Sequence, residues 1–406
     1  MPLREPLGVW MHGVRVAELI ARGPGAVQCR YTPQARELWP DGTPLLSCSL
    51  PVSSRFADAG VWCGGLLPDP AHRPAIAELI GVAAGDTFSL LERLGRDLPG
   101  AAVIAREDPA KRPGTAEPYA GDSLAADVAA LPAHPLGVRE DSAYSIPGRS
   151  DKLLLVEMPD GQWGRPVDGH ASTHILKLED PRFPGAAAAE AACQGLAREL
   201  DLSWLDVELV TVADRPCLFM PRFDRTVGEA GIGRLHAEDA NQALGKDPEA
   251  AHGRGRYESS GGPSLRAVAT LLAAYAEDPD RELARLVIAA TFSVLIGNAD
   301  AHGRNLGLLH PQPGAVALGP VYDTVPTTLW STSRTDAAMS VNGRWALRAV
   351  TLDDLEAEGA SWGLGRRKVR REVWRTAERV RDLAGKVEPR LGGMIAARAE
   401  ALLHGG

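Results

Sequence analysis

The sequence has none of the features typical of membrane, secreted or disulfide-stabilised proteins. No apolar run approaches the roughly 20 residues needed to span a bilayer. The amino-terminal segment Met1–Pro6 lacks the apolar core of a signal peptide, so we expect no secretion. The five cysteines are scattered, without a C-x-x-C pair, and predict free buried thiols rather than a zinc site or disulfides. These absences favour a cytoplasmic protein without a membrane partner.

Basic residues are also outnumbered by acidic ones, 44 Lys and Arg against 52 Asp and Glu. The chain carries a net charge of −8 at pH 7, which argues against nucleic acid as its main ligand. Hydrophobic residues make up 45% of the chain, too many for a disordered protein. The length of 406 residues suits two or three domains with a sizeable core.

The pattern of apolar and polar residues divides the chain into four regions. Residues 1–104 hold short alternating runs and short helices, and residues 105–122, rich in Pro, Gly and charge, predict a linker. Residues 123–223 are mainly strand-like, and residues 224–406 are mainly helical. We therefore predict an α+β fold in which a small α/β domain precedes a strand-rich small lobe and a helical large lobe, the bilobal plan of protein kinases.

The clearest chemical pattern lies at the end of a long helix-like segment. Asp300 stands five residues before Asn305, which is the D-x-x-x-x-N spacing of a kinase catalytic loop. In such a loop the Asp accepts the proton of the attacking hydroxyl, and the Asn holds one of the metal ions that bridge the ATP phosphates. On their own, these two residues also fit an ordinary loop that hydrogen-bonds its own backbone. The pattern gains weight because other parts of a phosphoryl-transfer site occur in the expected order.

A further aspartate follows the predicted catalytic loop. Residues 306–309 and 315–318 predict a hairpin, and Asp323 comes directly after it, where a kinase DFG sequence has its metal-binding Asp. Asn305 and Asp323 are thus the predicted Mg²⁺ ligands, and together with Asp300 they form the predicted catalytic set.

Upstream, a turn rich in small and basic residues is suited to phosphate binding. Gly148 and the small Ser150 allow backbone N–H groups to approach phosphates, and Lys152 adds positive charge. We predict that these three residues bind the phosphates of ATP.

A lysine in an apolar strand supplies the next part of the pattern. Lys177 lies within a short β-type run, where a buried ammonium is costly unless it meets anions such as ATP phosphates. Alternatively, its side chain reaches water from an edge strand. Glu190, on the Ala-rich helix that follows, is either the ion-pair partner of Lys177 or a solvated charge near the helix start.

Four further residues complete the predicted nucleotide site. The segment from Met220 joins the predicted lobes, so the backbone groups of Met220 and Arg222 are expected to meet the adenine edge, with Phe223 beside it. A plain β-turn is the alternative. His302 is placed in the same site, where we expect its ring to hydrogen-bond the loop backbone and orient Asp300.

Two other segments admit two interpretations each. The Gly-rich segment Tyr257–Pro263 either holds a protein substrate or only connects its neighbours. The basic run Arg366–Arg371 is either a solvated helix face, which we favour, or a surface that touches DNA phosphates.

These motifs together resemble the HipA family of serine/threonine kinases, the toxin halves of HipBA toxin–antitoxin modules. The resemblance covers nearly the whole chain, and the segments that carry it are Pro44–Pro51, Gly65–Pro68, Met220–Arg225, Leu235–Gly245, Tyr257–Pro263, Ile296–Asn305 and Tyr322–Asp323. Residues 1–104 then correspond to the N-terminal domain of that family.

The resemblance implies activity and partners that the residues alone do not reveal. It implies ATP and Mg²⁺ as cofactors and a Ser/Thr hydroxyl of a cytosolic protein as acceptor, with aminoacyl-tRNA synthetases among the family's targets. It also implies that Ser145 is autophosphorylated, which expels the loop and silences the enzyme; Ser150 is a second candidate phosphosite. The expected partner is a HipB-like helix-turn-helix antitoxin, through which DNA is contacted only indirectly.

Three functions stay open at this point. The first is an active protein kinase toxin. The second is a catalytically weak, ATP-binding homologue that acts as a corepressor on a DNA-bound antitoxin, although the intact Asp300, Asn305 and Asp323 argue against it. The third is a small-molecule kinase, against which the extra N-terminal domain and the Tyr257–Pro263 segment favour a protein partner.

Overall fold

The computed structural model describes residues 4–23, 25–229, 231–332 and 334–404, so Met1–Leu3 of the amino-terminal segment lie outside it. By its internal contacts the chain forms two compact units. The first unit comprises Met1–Pro181 and Glu208–Glu238, and the second comprises Arg182–Val207 and Asp239–Gly406. Among the described residues, we find no helix that is both long enough and apolar enough to cross a membrane.

The first part of the first unit is an antiparallel sheet with short helices. Its strands β1–β5 lie in the order β4-β3-β2-β1-β5, and their bounds are Leu7–Met11, Val14–Gly23, Ala26–Tyr31, Ala57–Asp58 and Val103–Ala105. Helices α1–α4 span Pro33–Leu38, Gly60–Gly65, Arg73–Leu79 and Thr87–Leu94. Side chains of β1 and β2, among them Leu7, Val9 and Leu19, enter a core that also holds Trp62 and Phe88. The sequence predicts a separate small domain over residues 1–104; the structure places these strands and helices in one compact unit with the sheet that follows.

The second part of the first unit is a six-stranded sheet. Its strands β6–β11 lie in the order β10-β11-β9-β7-β8-β6, and their bounds are Thr115–Pro118, Lys152–Glu157, Trp163–Val167, His174–Leu178, Glu208–Val212 and Arg215–Pro221. Helix α5 spans Ser123–Ala130, and the strands β12 (Arg225–Gly228) and β13 (Gly231–Arg234) form a separate ribbon.

One element of this sheet corrects the predicted linker. Residues 115–118, within the stretch 105–122, form β6 and pair with β8 in register from Thr115 to Pro118. The stretch lacks strand-like periodicity because β6 is a short edge strand with largely exposed side chains, and Pro is tolerated at such an edge.

The two parts of the first unit share one hydrophobic core. The buried side chains of Leu136, Val138, Tyr144 and Leu154 cluster with those of the N-terminal sheet and helices. Tyr144 also forms a parallel bridge to Asp97, and its hydroxyl donates to the carbonyls of Leu136 and Gly137. The N-terminal domain and the six-stranded sheet are therefore packed as a single body.

The second unit is mainly helical. Helices α6–α13 span Ala186–Glu199, Ala240–Ala243, Ala250–Gly253, Leu265–Tyr275, Pro279–Ile296, Leu352–Ala360, Arg366–Leu383 and Pro389–His404. The strand β14 (His236–Asp239) lies where the chain enters this unit, and β15–β18 span Gly307–His310, Ala317–Leu318, Asp336–Val341 and Arg344–Ala346. β15 pairs with β16 and β17 with β18, both antiparallel.

Helix α10 is the centre of the second unit. Asp278 caps its start by accepting from the backbone N–H of Arg281, and Pro279 occupies the first turn. Its apolar side chains, spaced three or four residues apart, pack against α9, α11, α12 and α13. The helix ends at Gly297, whose left-handed conformation (φ 70°) reverses the chain into the segment that carries Asp300.

Candidate active site

The predicted catalytic loop begins directly after α10. The backbone N–H of Asp300 donates to Asn298 Oδ1 at 3.0 Å, which closes a tight turn. The Asp300 side chain is 42% exposed, so its carboxylate is available to a reacting group. Residues Gly303–Asn305 then form a short 3₁₀ turn that leads into β15.

One side-chain amide joins the three predicted catalytic residues. Asn305 Nδ2 donates to Asp323 Oδ2 at 2.7 Å and to the carbonyl of Asp300 at 3.1 Å. Asn298 Nδ2 donates to the carbonyl of Asp323 at 3.1 Å. The fold of the second unit thus brings Asp300, Asn305 and Asp323 together, as the sequence predicts for such a loop and hairpin.

The backbone at Asp323 is strained and well supported. Its φ is +54°, a conformation that few residues other than Gly adopt, and strain of this kind is common at functional sites. The hydroxyl of Tyr322 donates to the carbonyl of Arg304 at 2.9 Å, and Thr324 Oγ1 donates to Gln194 Oε1 at 3.0 Å. Asp323 is therefore held in place from both sides.

These side chains suit a hard divalent cation. Mg²⁺ prefers oxygen ligands, which the carboxylate of Asp323 and the amide oxygen of Asn305 can offer. Two oxygen-bearing side chains in direct contact fit an ion that keeps several water ligands and binds substrate phosphates.

The structure corrects the predicted role of His302. Its Nε2 lies 3.9 Å from Asp300 Oδ2, too far for a hydrogen bond, and its Nδ1 has no partner among the described residues. Burial lowers the pKa of His302 to about 4, so the ring is neutral at pH 7 and forms no ion pair with Asp300. Only its backbone N–H contacts Asp300, through the carbonyl at 2.8 Å.

Tyr257, to which the sequence assigns no catalytic role, contacts the carboxylate of Asp300. The Tyr257 hydroxyl donates to Asp300 Oδ1 at 2.7 Å. The burial of the phenol and the nearby Asp300 charge raise its pKa to about 12, so it stays protonated. The sequence marks Tyr257 only as the first residue of a Gly-rich segment, and spacing alone does not reveal a contact across 43 residues of chain.

In the first unit, the predicted phosphate loop folds over Lys152. Gly148 has φ +117°, which only glycine adopts readily, and a Cβ at this position would collide with Lys152 Nζ. Lys152 Nζ donates to the carbonyl of Pro147 at 2.9 Å, and its side chain is largely buried. The backbone conformation at position 148 therefore favours glycine, and Ser150 lies partly buried beside it.

The same loop is attached to the N-terminal domain. Ser145 is fully buried, and its hydroxyl donates to the carbonyl of Leu66 at 2.8 Å. Further along the loop, Arg149 Nε lies 4.0 Å from Asp69 Oδ2. Asp151 Oδ1 lies 3.8 Å from His72 Nε2. In this conformation Ser145 does not present its hydroxyl to solvent.

Lys177 lies on the central strand β9, between β11 and β7, so it does not reach water from a sheet edge. Its partner in register on β7 is Lys152. Two lysines directly opposite each other repel, and an anion between or above them relieves that cost. Glu190 belongs to the second unit, and its predicted ion pair with Lys177 stays a prediction.

The structure also corrects the predicted adenine contact of Arg222. Its backbone N–H donates to the carbonyl of Thr173 at 2.8 Å, and its carbonyl accepts from the backbone N–H of Arg225 at 3.2 Å. Met220 is already a β-strand residue, paired with Ile175. The backbone of Arg222 is thus committed within the first unit, while the contacts of Met220 and Phe223 with adenine stay predictions.

The Arg222 side chain has a structural partner instead. It is buried, donates to Asp224 at 2.7 Å and to Ser172 Oγ at 2.8 Å, and lies 3.4 Å from Asp97. Arg225 donates to Asp97 at 2.8 Å. These guanidinium groups hold the pKa of Asp97 at about 2, although burial alone would raise it. The cluster ties the end of β11 to the N-terminal domain.

The basic run on α12 is neutralised by acidic neighbours. Arg370 contacts Asp353 at 2.8 Å and Glu356 at 2.9 Å, and Lys368 contacts Asp280 at 3.1 Å. These pairs are exposed, which agrees with the solvated helix face that the sequence favours.

Comparison with known proteins gives the chain a family. Residues 7–105 match the model of the HipA N-terminal domain, and residues 144–384 match that of the HipA-like C-terminal domain. A protein of Sinorhizobium fredii called "Putative kinase Y4mE" is 32% identical over 94% of this chain and 91% of its own length.

A sequence and a solved structure from Shewanella oneidensis extend the comparison. The serine/threonine-protein kinase toxin HipA is 26% identical over 79% of this chain and 75% of its own length. In a solved complex of HipA, HipB and operator DNA, one chain matches the fold with a TM-score of 0.82 and 22% identity, covering 98% of this chain and 97% of that chain. The matched fold and both matched domains place this protein in the HipA family.

Proposed function

We propose that the protein is a serine/threonine kinase that uses Mg²⁺ and transfers the γ-phosphate of ATP to a hydroxyl of a cytosolic protein. The observation that carries the proposal is the contact of Asn305 with both Asp323 and the Asp300 backbone, since it assembles a base candidate and two metal-ligand candidates in one place. The kinase names of the relatives support the same chemistry.

Each residue has a role that its chemistry permits. The exposed Asp300 carboxylate accepts the proton of the acceptor hydroxyl, whose oxygen bonds to the γ-phosphorus while the bond to the β–γ bridging oxygen breaks and ADP leaves. Asn305 and Asp323 hold Mg²⁺, which supplies charge neutralisation for the transferring group. Lys177, Lys152 and the Gly148 loop bind the remaining phosphate charge.

Self-silencing is the second part of the proposal. Ser145 becomes phosphorylated only when its loop leaves the carbonyl of Leu66, because its hydroxyl is buried in the attached conformation. A phosphate adds about −1.5 to −2 charges at pH 7, which the fully buried position does not accommodate. The modified loop therefore stays detached and no longer binds the phosphates of ATP.

A HipB-like helix-turn-helix antitoxin is the proposed partner, since the Shewanella oneidensis structure contains HipA with HipB and operator DNA. Contact with DNA is proposed to be indirect. The net charge of −8 and the acid-paired Lys368 and Arg370 of α12 favour this arrangement over direct DNA binding.

The proposal is tested by incubating the purified chain with Mg²⁺ and γ-labelled ATP, alone and with the proteins of a clarified lysate. We expect label on the chain itself, on a lysate protein or on both, always on Ser or Thr. ATP that binds but leaves no label on any protein would contradict the proposed activity.

A further inference from the structure

Tyr257 reaches into the candidate active site from a segment that the catalytic pattern does not include. Its hydroxyl donates to Asp300 Oδ1 at 2.7 Å, which is the length of a strong hydrogen bond to a charged acceptor. Asp300 Oδ2 lies 3.9 Å from His302, beyond hydrogen-bond distance. One oxygen of the carboxylate is therefore held, while the side chain as a whole is still 42% exposed.

The Tyr257 ring is fixed on two sides. The His302 ring meets it edge-on, with 5.4 Å between the ring centroids. The Arg334 guanidinium carbon lies 4.4 Å from the centroid of the Tyr257 ring, within the range of a cation–π contact. A phenol held in this way directs its O–H at Asp300 without a further loss of rotamer freedom when substrate binds.

The segment that carries Tyr257 is itself anchored to the catalytic loop. The carbonyl of Arg256 accepts from the backbone N–H of Gly303 at 3.2 Å. A Cβ at Gly303 would collide with the ring of Pro263, so the two segments are in close contact. Next to Tyr257, the Glu258 carboxylate accepts from the backbone N–H of Ser340 at 2.6 Å, which ties the segment to β17.

We infer that Tyr257 is the positioning residue of Asp300. By occupying Oδ1, its hydroxyl sets the plane of the carboxylate and leaves Oδ2 to accept the proton of the acceptor hydroxyl. The inference rests on the proposed function and adds to it, because it gives the Tyr257–Pro263 segment a task in the transfer step. His302 supports this arrangement through its ring and needs no charge.

The test removes only the hydroxyl. Tyr257→Phe keeps the ring contacts with His302 and Arg334 and deletes the hydrogen bond to Asp300. Since a hydrogen bond to a charged group is worth about one to two powers of ten in a rate, we expect the maximal transfer rate to fall by about 10- to 100-fold. The ATP concentration at half-maximal rate should not change, because the deleted hydroxyl donates to Asp300 and not to a residue predicted to bind the nucleotide. Tyr275→Phe, on α9, is the matched control and should transfer at the parental rate.

A double-mutant cycle distinguishes positioning from a merely structural effect. If Tyr257 acts through the Asp300 carboxylate, Tyr257→Phe should cost little in an Asp300→Asn background, whereas a structural effect would lower the residual rate by the same factor as in the parent. If Tyr257→Phe transfers phosphate as fast as an active parent, the inference about Tyr257 is wrong while the proposed function stands. The same conclusion follows if the effects of Tyr257→Phe and Asp300→Asn on the rate are fully additive. A parent that labels no protein would contradict the proposed function as well.

Discussion

Asn305 Nδ2 lies 2.7 Å from Asp323 Oδ2, although the two residues are 18 positions apart in the chain. The short hairpin of β15 and β16 makes this contact by returning the chain to the catalytic loop. Both side chains can turn an oxygen towards a common cation, and this relationship is the structural basis of the proposed metal site.

The first prediction concerns this pair. Asp323→Asn removes the negative charge that attracts Mg²⁺, and Asn305→Ala removes the second ligand. Substitution of a residue that only orients a metal ligand lowers metal affinity by about 10- to 100-fold, so loss of a ligand itself should lower it at least as much. Titration of an ATP analogue at several Mg²⁺ concentrations measures the effect, and Asp336→Asn on β17 is the exposed control. Unchanged Mg²⁺ dependence in both variants would exclude the pair as ligands.

The second prediction concerns the loop at Ser145. Incubation with Mg²⁺ and ATP should add phosphate at Ser145, and limited proteolysis should then cut the released loop faster than in the unmodified chain. Ser145→Ala removes the hydrogen bond to Leu66 and the acceptor together, so this variant should gain no phosphate and keep its activity over time. Ser54→Ala, at an exposed serine of the same unit, is the control that should still be modified. Peptide mapping that finds phosphate only at Ser150 would contradict the assignment.

The third prediction uses the pKa of His302. The pKa of His302 is about 4 in the folded protein and ordinarily 6.5. The neutral ring therefore makes its full contribution to the free energy of unfolding above pH 6.5. That contribution is lost as pH falls towards 4, since the unfolded chain then binds the extra proton. At pH 5 the loss amounts to about 2 kcal/mol. Unfolding of the parent and His302→Gln at pH 7.5 and pH 5 measures it: the variant should lose less stability than the parent. If the parent and His302→Gln lose the same stability between pH 7.5 and pH 5, the pKa of His302 is not lowered by folding.

The fourth prediction concerns the buried ion cluster of the first unit. Asp97→Asn leaves the guanidinium groups of Arg222 and Arg225 buried without one of their counter-charges. Removal of one partner of a buried ion pair costs about 3–5 kcal/mol, so the variant should melt well below the parent. Asp41→Asn, an exposed change in the same domain, controls for the loss of a carboxylate. Equal melting temperatures of the two variants would mean that the cluster contributes little to stability.

Local patterns predicted that Asp300, Asn305 and Asp323 lie close together, which the structure shows. The positions of Asp300, Asn305 and Asp323 follow from short-range rules, because a helix, a tight turn and a hairpin fix where these side chains point. The family and the α+β fold were also predicted correctly, since the motifs are numerous and spread along the chain.

The errors in the site arose where the deciding contact is distant in sequence. Arg222 was assigned to adenine, but Asp97, 125 residues away, and Thr173 determine its position. His302 was expected to orient Asp300 through the loop backbone, but the side chain that hydrogen-bonds the Asp300 carboxylate is Tyr257, 43 residues away. Neither contact has a periodic or spacing signal, because both depend on tertiary packing between segments that each look like ordinary loops or strands.

The central claim is that Asp300 is the base of a phosphoryl transfer, and single-turnover transfer from γ-labelled ATP by the parent and Asp300→Asn tests it most directly. General-base help is typically worth about 10²–10⁴-fold. We predict that Asp300→Asn slows transfer by a factor in that range while its affinity for Mg²⁺ and ATP stays within a few-fold of the parent. A variant that transfers phosphate at nearly the parental rate would contradict the assignment of Asp300 and, with it, the proposed mechanism.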